Sequence, residues 1–148
     1  MKRTLPGFLA SAAFALSLCS VLPARSDDAA KTHGPIAWTE SLAGAMKTAA
    51  RDRKVVMVDF WAEWCGPCKM MLATTYKDKA VVAKSKQFVP VLINVDKQAA
   101  IAQKYGIQAI PTVIFLDSKG NILSRSMGAV PASTFLRMMD DAKKKLKS

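Results

Sequence analysis

Two cysteines, Cys65 and Cys68, stand two residues apart in "DFWAEWCGPCKMM" (59–71), with Gly66 and Pro67 between them and Trp64 in front. Thiols at this spacing support three chemistries: a redox couple, half of a metal site, or a structural disulfide. Structural zinc takes four protein ligands, commonly two such pairs or one pair with histidines. Beyond this pair the chain offers only Cys19, near its N-terminus, and a single histidine, His33. No zinc site is expected. Two thiolates alone suit the soft ion Cu(I), so a Cu(I) carrier stands as the alternative. A disulfide kept only for stability gains little here, because the stabilisation from a cross-link shrinks with the loop it closes. A strained or exposed disulfide is more readily reduced, which points to a bond that cycles.

The neighbours of the pair favour the redox chemistry. Gly66 and Pro67 open a helix directly after Cys65, so unpaired backbone N–H groups and the positive end of the helix dipole face that sulfur. Such a position favours thiolate over thiol and lowers the pKa. Cys65 is therefore the expected nucleophile. Cys68, one turn on and further inside, is expected to resolve the mixed disulfide, closing a Cys65–Cys68 bond. Small Gly66 and rigid Pro67 let a partner approach and keep the helix start in shape. This chemistry needs no organic cofactor and no metal.

Those thiols must be positioned by an ordered frame, and the rest of the sequence supplies one. "VVMVDFWA" (55–62) and "FVPVLINV" (88–95) are nearly continuous β-branched and aromatic runs, the pattern of strands covered on both faces. Pro90 is expected near the start of its strand, since proline cannot donate to a ladder. Leu42, Ala45, Met46 and Ala49 recur at helical spacing, with Thr39 as the expected N-cap. A helix is expected from Gly66 to about Tyr76, and a short one after Asp78 with Val81 and Val82. Another runs from Gln98 to Tyr105 and stops at Gly106. "TVIFLD" and "NILSRSM" flank Ser118-Lys119-Gly120 and should form a hairpin. Pro131 opens a last helix with Phe135, Met139, Ala142 and Leu146 on one face. With "IAW" (36–38) as a short edge strand, the order is β-α-β-α-β-α-β-β-α. That order predicts an α/β fold, a mixed central sheet flanked by helices on both faces.

"VDFWAEWCGPCKM" resembles, nearly letter for letter, the active-site segment of the thioredoxin family. The similarity extends through "INVD", "KYGIQAIPT", "DSKGNI" and "MGA" to the final helix, roughly Lys54 to Leu146. A lone C-x-x-C is a weak signal; W-C-G-P-C after a D-F-W-A strand, followed by I-P-T, is a strong one. The resemblance implies a thioredoxin fold and a thiol–disulfide oxidoreductase. It also implies roles for further residues. Ile110-Pro111 corresponds to the family's cis peptide, packed against the disulfide where substrate binds. Trp64 corresponds to the exposed tryptophan beside the nucleophile. Asp59 matches the buried acid that moves the proton of the resolving cysteine, and Gly128 the small residue bordering the substrate groove.

The chain departs from the family pattern in two places. Where thioredoxins usually carry a lysine close to the buried acid, this chain has Leu92, so burial should leave Asp59 with a raised pKa. Where they place a helix-kinking proline, it has Ala73. These departures, with "TTYKDKAVVAKSKQF" and the segment before the first strand, are more similar to exported thioredoxin-like domains that receive electrons from membrane reductants.

Length and composition agree with one exported domain. At 148 residues the chain has room for about one domain, and 51% apolar content is ample for a core. Its start, "MKRTLPGFLASAAFALSLCSVLPARS", has Lys2 and Arg3, an apolar run from about Phe8 to Leu22, and small residues after it, the layout of a secretory signal. The expected organisation is a signal peptide (1–26), a flexible lead (27–35) and a thioredoxin-like domain (36–148). The mature protein would begin near Asp27, be periplasmic, and keep no membrane span. Leu16-Ser17-Leu18-Cys19 also offers a lipoprotein alternative, with Cys19 acylated and the protein tethered to a membrane.

Net charge is +11, and cleavage would remove Lys2, Arg3 and Arg25 and no acid. The lysines are scattered apart from Lys143, Lys144, Lys145 and Lys147, which read as a solvated helix end suited to the dipole. Nucleic acid is not an expected partner. The expected partners are extracytoplasmic proteins with cysteines and a membrane electron donor, with the protein working as a reductant. An adaptor or Cu(I)-binding protein on the same scaffold is the alternative.

Overall fold

A computed structural model describes residues 33–148. The expected signal peptide, Cys19 and the lead up to residue 32 lie outside the described residues. Within them, helix α1 (Leu42–Asp52) is followed by β1 (Val55–Trp61), α2 (Gly66–Ala73) and a 3-10 turn (Thr75–Lys77). Then come α3 (Lys79–Ser85), β2 (Phe88–Asn94), α4 (Ala99–Lys104), the hairpin β3 (Thr112–Leu116) and β4 (Ile122–Met127), and α5 (Ala132–Lys147). The sheet order is β2-β1-β3-β4. β1 pairs parallel with β2, whereas β1–β3 and β3–β4 are antiparallel. This is the mixed α/β sheet expected.

Strand β1 is central because every residue from Val55 to Phe60 is buried, so it must be covered on both faces. Val56, Val58 and Phe60 pack with Ala45 and Ala49 of α1 and Ala102 of α4. Val55 and Met57 pack on the opposite face with Met71 of α2, Tyr76, Val81 of α3, and Phe135 and Met139 of α5. Each such fully buried side chain contributes about 1.5–3 kcal/mol.

Three local expectations give way to tertiary context. The cap of α1 is Ser41, whose hydroxyl accepts from the Gly44 N–H at 3.1 Å. Thr39 instead makes a single parallel bridge with Val91, its N–H donating to Pro90 O and its carbonyl accepting from Leu92 N–H. "IAW" consequently forms no full edge strand. Pro90, third in β2, has its nitrogen on that outer edge and offers no donor there, so pairing stops at one bridge. Helix α2 ends at Ala73 rather than near Tyr76: Thr74 leaves helical geometry (φ −123°, ψ −79°), and its hydroxyl turns back to donate to Met70 O at 2.8 Å. The following 3-10 turn carries Tyr76 into the core.

His33 is the fourth difference. The sequence places it in a flexible lead, but its ring is buried edge-on against Trp61, 4.4 Å between centroids. Its carbonyl accepts from the Trp38 indole N–H at 3.2 Å, which ties this segment to the core.

Candidate active site

Strand β1 delivers its chain to the site at Trp61, whose carbonyl is held by the Val95 N–H at 3.0 Å. The chain then turns, the Cys65 N–H donating to Ala62 O, and α2 begins. Cys65 is the N-cap of α2, and its Sγ accepts from the Cys68 N–H at 3.2 Å. Pro67 sits in the first turn, where its missing N–H costs nothing. The two sulfurs are joined as the Cys65–Cys68 disulfide. They form a small apolar cluster with Ala62, against which Trp61, Val95 and Ile110 pack.

Both cysteines are nearly covered in this oxidised form, 3% exposed for Cys65 and 1% for Cys68. Accessibility therefore separates them less than position does. Cys65 lies at the helix end, where the dipole and an N–H stabilise a negative sulfur, while Cys68 lies within the helix. Beyond Gly66 the space is open, since a Cβ there would touch nothing within 4 Å.

Three expected neighbours come together around the pair. The Ile110–Pro111 bond is cis, Pro111 is buried, and Ile110 packs on the cysteine cluster. Gly128 adjoins it, donating its N–H to Pro111 O at 2.8 Å with a φ of +85° that disfavours any other residue. Trp64 is 68% exposed, and its indole N–H donates to Asp96 Oδ2 at 2.9 Å. Asp96 was not singled out from the sequence; it is held in turn by its N–H to Asn94 Oδ1, at the end of the strand parallel to β1. Beside α2, Met70, Thr74, Ala129 and Val130 help line a groove of about 280 Å³.

Asp59 is fully buried on β1, with Leu92 directly opposite on β2 where a lysine would have been its cation. Burial pushes its carboxyl up to about 7, and the Tyr76 hydroxyl pulls that value partly back. No well-formed hydrogen bond joins the two: Asp59 Oδ1 and the Tyr76 hydroxyl both lack a partner. Tyr76 is the other residue missed in the sequence, where it appears only as a helix end. Its own proton is held well above the usual phenol range by burial and by the carboxylate beside it. His33 is lowered by burial, an effect the Glu40 carboxylate offsets in part. Among the described residues no group of three or more His, Cys, Asp or Glu is placed to hold a metal ion.

Comparison with known proteins gives one consistent picture. The thioredoxin-like domain family matches residues 42–143. A thioredoxin from Chlorobaculum thiosulfatiphilum is 38% identical over 94 residues, 60% of this chain and 79% of the relative. A thioredoxin from Griffithsia pacifica is 43% identical over 94 residues, 59% of this chain and 77% of the relative. Among solved structures, a thioredoxin from Thermus thermophilus shares the fold with a TM-score of 0.67 at 24% identity, covering 76% of this chain and 90% of that one. The crystal structure of Malassezia sympodialis thioredoxin matches at 30% identity with a TM-score of 0.56, covering 71% of this chain and 89% of that one.

Proposed function

The chain belongs to the thioredoxin-like family and is a thiol–disulfide oxidoreductase, and on that premise we propose that it works outside the cytoplasm as a reductant of protein disulfides. The observation that carries the chemistry is the Cys65–Cys68 disulfide at the start of α2, with the cis Ile110–Pro111 bond packed against it. The Cu(I) carrier and adaptor readings find no support in the relatives.

In the reduced protein, the Cys65 thiolate attacks one sulfur of a substrate disulfide. A Cys65–substrate bond forms, the substrate S–S bond breaks, and the released thiolate takes a proton from water. The Cys68 thiol then gives up its proton to the Asp59 carboxylate, and its thiolate attacks Cys65 Sγ. The second substrate sulfur leaves as thiolate and is protonated, and two electrons have passed to substrate. The oxidised protein is the species with the Cys65–Cys68 bond. A carboxyl poised near 7 is matched to such a proton transfer at neutral pH. The proposed surface for the substrate chain is Trp64, Ile110, Pro111 and Gly128, of which Ile110 packs on the cysteine cluster, with Gly66 leaving the approach open.

The direction of electron flow rests on what sits near Cys65. A strongly oxidising relative stabilises its thiolate with a charged histidine between the cysteines, where this chain has Gly-Pro. His33 reaches the site only through Trp61, and burial holds it below the ordinary imidazole value, so it stays neutral at pH 7. Equilibration with glutathione buffers tests this, with a potential expected close to about −270 mV; a value near about −120 mV would make disulfide formation the better reading. Location rests on the layout of residues 1–26. N-terminal sequencing of secreted protein is expected to begin near Asp27. A diacylated Cys19 would establish the tethered alternative, and intact cytoplasmic protein would remove export and the membrane donor together.

A further inference from the structure

Trp61 ends β1, and its half-buried indole packs both on the cluster of Ala62, Cys65 and Cys68 and on the core around Met71 and Tyr76. Edge-on against the same indole stands His33, a buried imidazole that takes no part in the dithiol exchange. The segment carrying His33 is fastened further along. The Trp38 indole N–H donates to the His33 carbonyl, Ile36 and Trp38 lie in the core, and Trp38 meets Tyr76 edge-on at 5.1 Å between centroids. Between His33 and those anchors comes Gly34, with a φ of +81° that glycine adopts without strain. A Cβ there would come 3.9 Å from the carbonyls of Leu72 and Tyr76, which lays this strap along the end of α2 and the 3-10 turn. The His33 ring can thus leave Trp61 while Ile36 and Trp38 stay anchored.

A neutral imidazole suits this place and a charged one does not. His33 is 6% exposed, and its Nδ1 has no hydrogen-bond partner among the described residues. A charged ring would carry a proton on that nitrogen with nothing to accept it. Burial lowers its pKa from 6.5, and the Glu40 carboxylate offsets this only in part. No other neighbour supplies a counter-charge. The indoles of Trp61 and Trp38 are uncharged, and the Tyr76 hydroxyl holds its proton. Asp59 shares a face of β1 with Trp61, but its carboxyl, up at about 7, is largely protonated where His33 would charge. Lys77, beside Gly34, adds like charge. The folded chain binds this proton less readily than the unfolded one, so the contact is whole above 6.5 and weakens as pH falls below it.

We propose that His33 is a positioning residue for the dithiol: its neutral ring latches Trp61 onto the cysteine cluster, and its protonation opens that latch. Latched, the disulfide stays covered; unlatched, a donor thiol reaches it. The inference rests on the dithiol reading. Its test measures access to the sulfurs rather than turnover of a substrate, so the two fail separately.

The test follows reduction of the oxidised protein by excess water-soluble phosphine, with thiols counted by alkylation and mass spectrometry. At about pH 8, His33→Ala is expected to react about fivefold faster than the parent, the factor that one aromatic pair contributes. His33→Phe keeps a ring against Trp61 and should match the parent there. Between about pH 8 and pH 5 the rate of the parent relative to His33→Phe, in which the phosphine's own ionisation cancels, should rise towards that same factor. A merely structural role would lower the melting temperature of His33→Ala without making this ratio depend on pH. Equal rates for the parent and His33→Ala at the higher pH, or a ratio that stays constant across the range, would overturn the proposal.

Discussion

On one face of the sheet, β1 turns Val56, Val58 and Phe60 towards α1 and α4, into a cluster with no buried ionisable side chain apart from the phenol of Tyr105 at its edge. On the other face, the same strand turns Val55, Met57, Asp59 and Trp61 towards α2, the 3-10 turn and α5. Every buried side-chain polar atom without a partner among the described residues lies there: His33 Nδ1, Asp59 Oδ1 and the Tyr76 hydroxyl. The helix bearing the cysteines covers that second face. One strand therefore serves two ends by alternation: packing on one side, and on the other a low-dielectric environment in which a carboxyl titrates near neutral pH. The unpaired groups cost stability and are confined to the face that the cysteine-bearing helix covers.

The sharpest separation comes from the cysteines. Cys65→Ser is expected to lower insulin reduction by at least roughly a thousandfold with the fold intact. Cys68→Ser should instead accumulate as a mixed disulfide with substrate, visible by mass spectrometry; trapping by Cys65→Ser would reverse the two roles. On the packing face, Phe60→Ala is expected to cost about 3–5 kcal/mol in denaturant unfolding. Activity per folded molecule should stay within a few-fold of the parent at subsaturating denaturant. A loss as large as that of Cys65→Ser would break the contrast between the faces.

Asp59→Asn addresses the polar face through pH. The carboxyl is raised in the folded state, from an ordinary 3.8 to about 7. Below about pH 3 it is protonated whether folded or unfolded and costs almost nothing. Between about 4 and 7 the unfolded chain releases its proton while the folded one keeps it, so stability falls as pH rises. At pH 8 the whole penalty is present, on the order of 4 kcal/mol at about 1.4 kcal/mol per pH unit. Asn carries no such penalty, so the variant is expected to gain a few kcal/mol at pH 8 and almost nothing at pH 4. Denaturation at the two pH values measures this, and an equal effect at both would show that Asp59 is not titrating there. The same variant should resolve the mixed disulfide slowly, without the rise near pH 7.

Smaller effects sharpen the picture. Tyr76→Phe removes the hydroxyl that holds Asp59 down, so the carboxyl should titrate higher, read from its 13C resonance, while stability changes by about 1 kcal/mol or less. No movement of that resonance would show the two groups to be uncoupled. Asp96→Ala should release the Trp64 indole, changing its fluorescence and lowering insulin reduction only a few-fold, since an exposed hydrogen bond contributes about 1 kcal/mol.

Much of this molecule follows from short-range pattern. The apolar runs of β1 and β2, the short helix after Asp78, the stop at Gly106 and the 112–127 hairpin are local, and each forms as expected. So does the pair of thiols at a helix start, because three residues and one turn of backbone suffice to bring them together. Thr39 as a cap and "IAW" as a strand give way for a common reason. Each depended on whether β2 offered an edge to pair with, and Pro90 restricts that edge.

The amino-acid sequence by itself determined the alternation that buries both faces of β1, the helix that starts at Cys65, and the loss of the cation opposite Asp59. Only the tertiary structure decided what surrounds those features. Asp59 meets Tyr76, Trp64 meets Asp96, and His33 meets Trp61 because strand register and the end of α2 at Ala73 bring distant segments together. Periodicity and capping act over a few residues and leave a mark in the order of side chains. Contacts between residues tens of positions apart are selected by packing of the whole core, and no short stretch of sequence records them.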